Sequence, residues 1–165
     1  MFVTTHVLSG VLIAAASQGR PAAAFAAGVG SHLALDSIPH WGCDKSIEGG
    51  YEDFLRVAKR DGLFGLAITA AAVAAVPRRD RTATIAAIAG AVLLDLDKPF
   101  LFFFGTNPFP RPVIRLHSRV QNESPNGMGN EIAYGVAFAA ADVLTIVARR
   151  GLSPFTKVRV ARRPS

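Results

Sequence analysis

The chain contains one cysteine, Cys43, in 165 residues. A single thiol excludes an intrachain disulfide and any multi-cysteine zinc site, and leaves Cys43 either unpaired or a lone ligand candidate beside His40. Charge is scarce as well. Only 18% of residues are Asp, Glu, Lys or Arg, against 50% hydrophobic, and the mean hydropathy is +0.31. Strand-favouring runs are few and much of the apolar content is alanine, which points away from a β fold. No Lys or Arg precedes the first apolar stretch, so no secretory leader is expected. The sequence has no P-loop, dinucleotide fingerprint, nucleophile elbow or HExxH. Long uncharged runs are missing too: residues 62–76 would rise only about 22 Å as a helix, short of the roughly 18–20 residues of a simple span. A membrane location must therefore be argued from how the helix ends are decorated.

What remains is an all-α pattern of about five helices in one domain, residues 1–150, followed by a basic tail over 151–165. Start and stop signals predict helices over residues 2–17, 21–38, 51–76, 82–99 with continuation to 104, and 130–148. A short extra helix is expected over 113–121. Gly19 and Pro21 supply a stop and a start, and Pro39 closes the second helix.

Polar side chains with metal-ligand chemistry gather where these helices end. His32 and Asp36 are four residues apart and share a helix face, and His40 follows on the exit turn after Pro39. Two imidazoles and a carboxylate suit zinc or another divalent first-row metal, although a His and an Asp at a helix end also serve as caps. Asp95 and Asp97 follow a wholly apolar helix and need partners, because an unpaired buried charge is costly. Two residues apart, they face different ways: one can ligate while the other orients or acts as a base. His6 is the only imidazole in its helix, and His117 sits between Arg115 and Arg119. Those two arginines, four apart, suit a phosphate clamp or a solvated face. Glu123 lies in a turn that could carry a base.

Folding the helices up and down with short connections brings His6, His32, His40 and His117 to one end, with Asp36, Asp95, Asp97, Glu123 and Glu131. Trp41, Tyr51 and Tyr134 fall at the same end, as an interfacial aromatic belt requires. Arg20, the 77–81 turn and the basic tail fall at the other end, opposed there only by Asp80. In a membrane protein that bias makes the arginine-rich end cytoplasmic. The net charge of +6 could also attract nucleic acid, but no recognition helix or aromatic–basic platform is present, so that partner is not expected.

Thr5-His6 followed by Gly10, then Gly30-Ser31-His32 with Asp36, Pro39 and His40, then Gly90 with Asp95-Leu96-Asp97 and Pro99, then a downstream His117 with arginines nearby, resembles the YdjM family. These are inner-membrane proteins described as metal-dependent hydrolases, distantly similar to zinc-dependent phospholipase C and P1-type nucleases. The resemblance spans roughly residues 4–135. It implies that His6, Asp95, Asp97 and His117 occupy the family's Thr-His, Asp-x-Asp and downstream His positions, with His32 and Asp36 as its His-x3-Asp element. Two departures stand out: Leu94 replaces the proline before Asp-x-Asp, and the family's His-Arg-Gly-x-Thr-His is reduced to His117-Ser118-Arg119.

The expectation is thus a membrane-embedded helical bundle with a divalent-metal site at one end. His6, His32, Asp36, His40, Asp95, Asp97 and His117 are the ligand candidates, Asp97 or Glu123 the base, and Arg115 or Arg119 the phosphate holder. The expected activity is hydrolysis of a phosphoester, lipid-linked or small, in a multi-pass protein of a bacterial-type inner membrane in contact with lipid. The alternative is a non-catalytic membrane protein whose His/Asp cluster is structural or binds metal without turnover.

Overall fold

The computed structural model describes residues 1–42 and 50–151. Cys43 and the basic tail after residue 151, each part of the sequence-based expectation, lie outside the described residues. The order is α1 (Val3–Ala16), α2 (Pro21–Asp36), β1 (His40–Trp41), α3 (Gly50–Ala75), a 3-10 turn (Arg78–Asp80), α4 (Arg81–Val92), a second 3-10 turn (Leu93–Leu96), α5 (Asp97–Phe104), α6 (Arg111–Val120), β2 (Glu123–Ser124) and α7 (Met128–Gly151). The molecule is mostly helical, as the composition predicts.

Local chemistry sets the breaks. Between α1 and α2 the chain takes two left-handed residues in succession, Gln18 at φ 53° and Gly19 at φ 77°, and then enters α2 with Pro21 in its first turn. Proline is accommodated there because the missing N–H would have had no helical partner. Pro39 closes the other end of α2. The expected fourth helix is not continuous. It is interrupted at Leu93–Leu96, where Val92 sits at φ −104°, ψ −2°, outside regular helical geometry. The 3-10 turn changes the direction of the side chains across Asp95 and Asp97, and α5 then stops at Gly105, left-handed at φ 69°.

The up-and-down arrangement is seen in the long-range bonds. The start of α1 meets the start of α7 through Phe2 and Glu131, and the end of α1 meets the end of α7 through Ala15 and Arg149. These two helices therefore run parallel, with α3 beside them: Asp61 binds the start of α1, and Val76 lines a small cavity with Ala14 and Ala15 at the far end. Packing of α4 on α1 and α2 depends on glycine. A Cβ on Gly28 would strike the Ala87 carbonyl, and one on Gly90 would strike the Phe25 carbonyl. Far from the polar end, Ala14, Ala24, Ala83 and Ala87 make an all-alanine core cluster.

Polar and apolar side chains share the interior. The largest fully buried side chains are His6, His32, His40, Thr5, Thr84 and Asp36, while Phe64, Leu66, Val136 and Leu144 are 66–71% exposed. One helix stretch, Met128–Arg149, is long and apolar enough to cross a membrane, with 22 residues at mean hydropathy 1.6.

Candidate metal centre

The centre begins with how α1 is held. The first N–H groups of any helix lack intrahelical acceptors. Here Phe2 N–H donates to both Glu131 oxygens at 3.1 and 3.0 Å, Val3 N–H to Asp61 Oδ2 at 2.6 Å, and Thr4 N–H to Asp61 Oδ1 at 3.1 Å. Carboxylates from α7 and α3 thus cap α1 in place of a local side chain, and they also complement the positive end of its dipole. This clamp fixes the first turns of α1 and with them His6.

His32 and Asp36 sit on one face of α2, as their spacing requires. His32 donates its Nδ1–H to the Ala91 carbonyl at 2.7 Å. That bond sets the tautomer and leaves Nε2 as the lone-pair nitrogen, the arrangement by which an outer partner orients a ligating histidine. His32 Nε2 is 3.2 Å from Asp36 Oδ2 and 3.1 Å from His117 Nε2. Asp36 Oδ2 is also 3.2 Å from His117 Nε2. Its Oδ1 is 3.1 Å from His6 Nε2 and 2.6 Å from the Met1 ammonium. The His6 and His32 rings stack at 4.1 Å and 18°. Asp36 and both of these imidazoles have no exposed surface.

The 3-10 turn and α6 complete the cluster. Asp95 Oδ1 accepts from Lys98 Nζ at 2.8 Å, while its Oδ2 is buried without a partner and 3.8 Å from His6 Nε2. Burial pushes the Asp95 carboxyl upward, but the Lys98 charge and the imidazoles of His6 and His32 outweigh it and hold Asp95 well below the usual carboxylate range. On α6, burial opposes protonation of His117, yet bonds to Asp36 and Asp97 and the charges of Asp95 and Asp97 prevail and raise it to about 9. Asp97 Oδ2 lies 3.6 Å from His117 Nδ1, and Asp97 Oδ1 is buried without a partner.

His6, His32, Asp36, Asp95 and His117 can hold a metal ion. Two groups satisfy the geometry, His6–His32–Asp36 and His32–Asp95–His117, each with its ligand atoms within 4.8 Å of one another. The donor set fits a divalent cation on two counts. Two imidazole Nε2 atoms converge on one carboxylate oxygen, and a buried carboxylate oxygen on Asp95 is left over. Both groups require His32, whose one free nitrogen serves one ion at a time.

The remaining expected residues are placed differently. His40 is buried at the same end, but its Nδ1–H donates to the Ile38 carbonyl at 2.9 Å and its Nε2 has no partner; it belongs to neither group. It is fixed by the parallel pairing of His40 with Glu123 and Trp41 with Ser124 and by Gly127, where any Cβ would collide with the His40 carbonyl. Glu123 is exposed on that pairing. Arg115 and Arg119 are exposed and lie two residues either side of buried His117, about 200° around the helix, so they stand on its far face. Asp97 borders the cluster through His117. Sequence reasoning assigned no role to Asp61 and brought Glu131 to this end without one, although a carboxylate in an otherwise apolar stretch, as Glu131 is, carries that signal. Compared with known proteins, the chain matches no family model, no curated protein and no solved structure.

Proposed function

We propose that this chain is a membrane-embedded, metal-dependent hydrolase acting on a phosphoester. The observation that carries the reading is the meeting of His32 Nε2, His117 Nε2 and Asp36 Oδ2 within 3.1–3.2 Å of one another in a buried bundle end. Imidazole and carboxylate donors favour zinc among the available ions. A divalent ion held by His6, His32 and Asp36, or by His32, Asp95 and His117, would supply Lewis acidity toward a phosphoryl oxygen and toward water.

The chain's own groups supply the rest. Ala91 holds His32 in its ligating tautomer. Asp97, 19% exposed at its side chain and with one oxygen unpaired, is the group placed to take a proton at the rim, with Glu123 as the second candidate. Lys98 Nζ stands on Asp95 inside the cluster, so neutralising a phosphate falls to Lys98 before Arg115 or Arg119. The placement of those arginines favours the second reading, a metal-binding membrane protein without turnover. Membrane embedding is supported by the outward-facing apolar residues and by the Met128–Arg149 stretch, only 11% buried. The multi-pass topology has the 77–81 turn and the basic C-terminal tail on the cytoplasmic side of a bacterial-type inner membrane.

The test uses detergent-purified full chain, stripped with chelator and reloaded with zinc, and a chromogenic phosphodiester or phosphomonoester. Hydrolysis that needs the metal and is lost in His32→Ala supports the enzyme. Metal binding with no turnover on either substrate supports the second reading.

A further inference from the structure

Beyond the metal cluster the molecule carries an exposed surface that no step above uses. From Asp97 the chain leaves the centre as α5, whose Phe103 and Phe104 are 70% and 71% exposed. From His117 it leaves as α6, whose Arg111, Arg115 and Arg119 recur every four residues on one exposed face. None of the three arginines makes an ion pair with a described residue. The two helices are tied at their inner ends, where Asp97 Oδ2 lies 3.6 Å from His117 Nδ1. Lys59 of α3 holds its ammonium 5.5 Å from the centre of the Phe102 ring.

In water this surface would be costly, since Phe103 and Phe104 leave most of their rings uncovered. A protein partner would satisfy the rings but leave three unpaired guanidinium groups to be matched. An anionic bilayer surface satisfies both. Aromatic rings sit at headgroup depth with their apolar bodies in the acyl region, and long basic side chains reach up to lipid phosphates. A cation over an aromatic ring belongs at that boundary.

We propose that α5 and α6 form an interfacial element that inserts its phenylalanines into the bilayer and binds anionic phospholipid headgroups through Arg111, Arg115 and Arg119. This rests on the membrane reading above and is independent of catalysis.

The experiment places tryptophan at two exposed positions, Phe103→Trp on α5 and Leu144→Trp on α7, in full chain reconstituted into nanodiscs, with the wild-type Trp41 signal subtracted. Both positions are about 70% exposed, so neither change disturbs packing. Lipids brominated at shallow or deep acyl carbons report depth. The proposal expects the α5 probe to be quenched most by shallow bromines and the α7 probe by deep ones. It further expects brominated phosphatidylglycerol to quench the α5 probe roughly threefold better than brominated phosphatidylcholine at equal content. That preference should vanish in Arg111→Gln/Arg115→Gln/Arg119→Gln. An α7 probe quenched while the α5 probe is not overturns this proposal and leaves the membrane reading standing. Neither probe quenched overturns both. Equal quenching by the two lipids in the parent protein overturns the headgroup selectivity.

Discussion

The two ends of this bundle are made by the same helices and held together by opposite means. At one end Asp36, Asp95, Asp61 and Glu131 gather imidazoles, an ammonium and helix N–H groups. At the other, Ala14, Ala24, Ala83 and Ala87 bring backbones close, and one charged group, Arg149, reaches the Ala15 carbonyl and Asp80. The first end is directional: its carboxylates bond named donors, and removing a carboxylate leaves buried donors uncompensated. The second is steric: it tolerates any change that keeps volume small. A site with chemistry to perform belongs at the directional end, because there imidazoles and carboxylates from several helices are held within hydrogen-bond distances of one another.

Breaking the directional end should have the largest effect. Asp36→Asn removes the charge shared by three imidazoles, and metal affinity should fall by more than about 100-fold, beyond the roughly 10–100-fold typical of outer partners. Chelator competition on the folded variant measures it; an affinity within tenfold of wild type contradicts the arrangement. Overpacking the steric end should separate the two. Ala83→Leu, at a site 1% exposed, should cost about 1–3 kcal/mol in denaturant unfolding while metal affinity stays within about twofold.

Proton linkage sharpens the same contrast. His117 without metal is held up to about 9, so it is protonated at neutral pH, whereas a ligating imidazole must be neutral. Binding therefore expels a proton. Affinity should rise by about tenfold per pH unit from pH 7 toward about 9 and level off above that. In the metal-free protein the same group contributes stability in full below its ordinary value of 6.5, and that contribution is lost as pH rises through about 9. A titration series in buffers of pH 6.5–9.5 should show the slope in wild type and its disappearance in His117→Ala. Smaller still is Asp61→Asn, which weakens the cap on α1. It should cost about 1 kcal/mol and loosen metal binding about tenfold through His6, read from the thermal midpoint and from the same competition assay.

Much of the directional end was legible in the chain. The i, i+4 spacing of His32 and Asp36 placed them on one face, Pro39 located the end of α2, and alternation of helix direction brought His6, Asp95 and His117 to the same place. The two-residue spacing of Asp95 and Asp97 foretold that they would point differently, one into the cluster and one to its edge. What was not legible depends on contacts between distant segments. His40 looked like a ligand on an exit turn; its pairing with the Glu123 strand leaves it outside both ligand groups, buried with its Nε2 unpartnered. Arg115 and Arg119 looked like a clamp because they are four apart; they do share an exposed face, but helical rotation turns it away from buried His117, two residues off. Asp61 and Glu131 cap a helix more than fifty residues away, and no local pattern marks a cap of that kind.

The central claim is that His6, His32, Asp36, Asp95 and His117 form one metal centre. Calorimetric titration of zinc into chelator-stripped, folded full chain tests it most directly, in wild type and in Asp36→Asn and His117→Ala. Because both ligand groups need the single free nitrogen of His32, wild type should bind close to one ion per chain, and each variant should bind it more weakly, through the one group it leaves intact. No zinc uptake by wild type, or uptake unchanged in both variants, contradicts the shared centre.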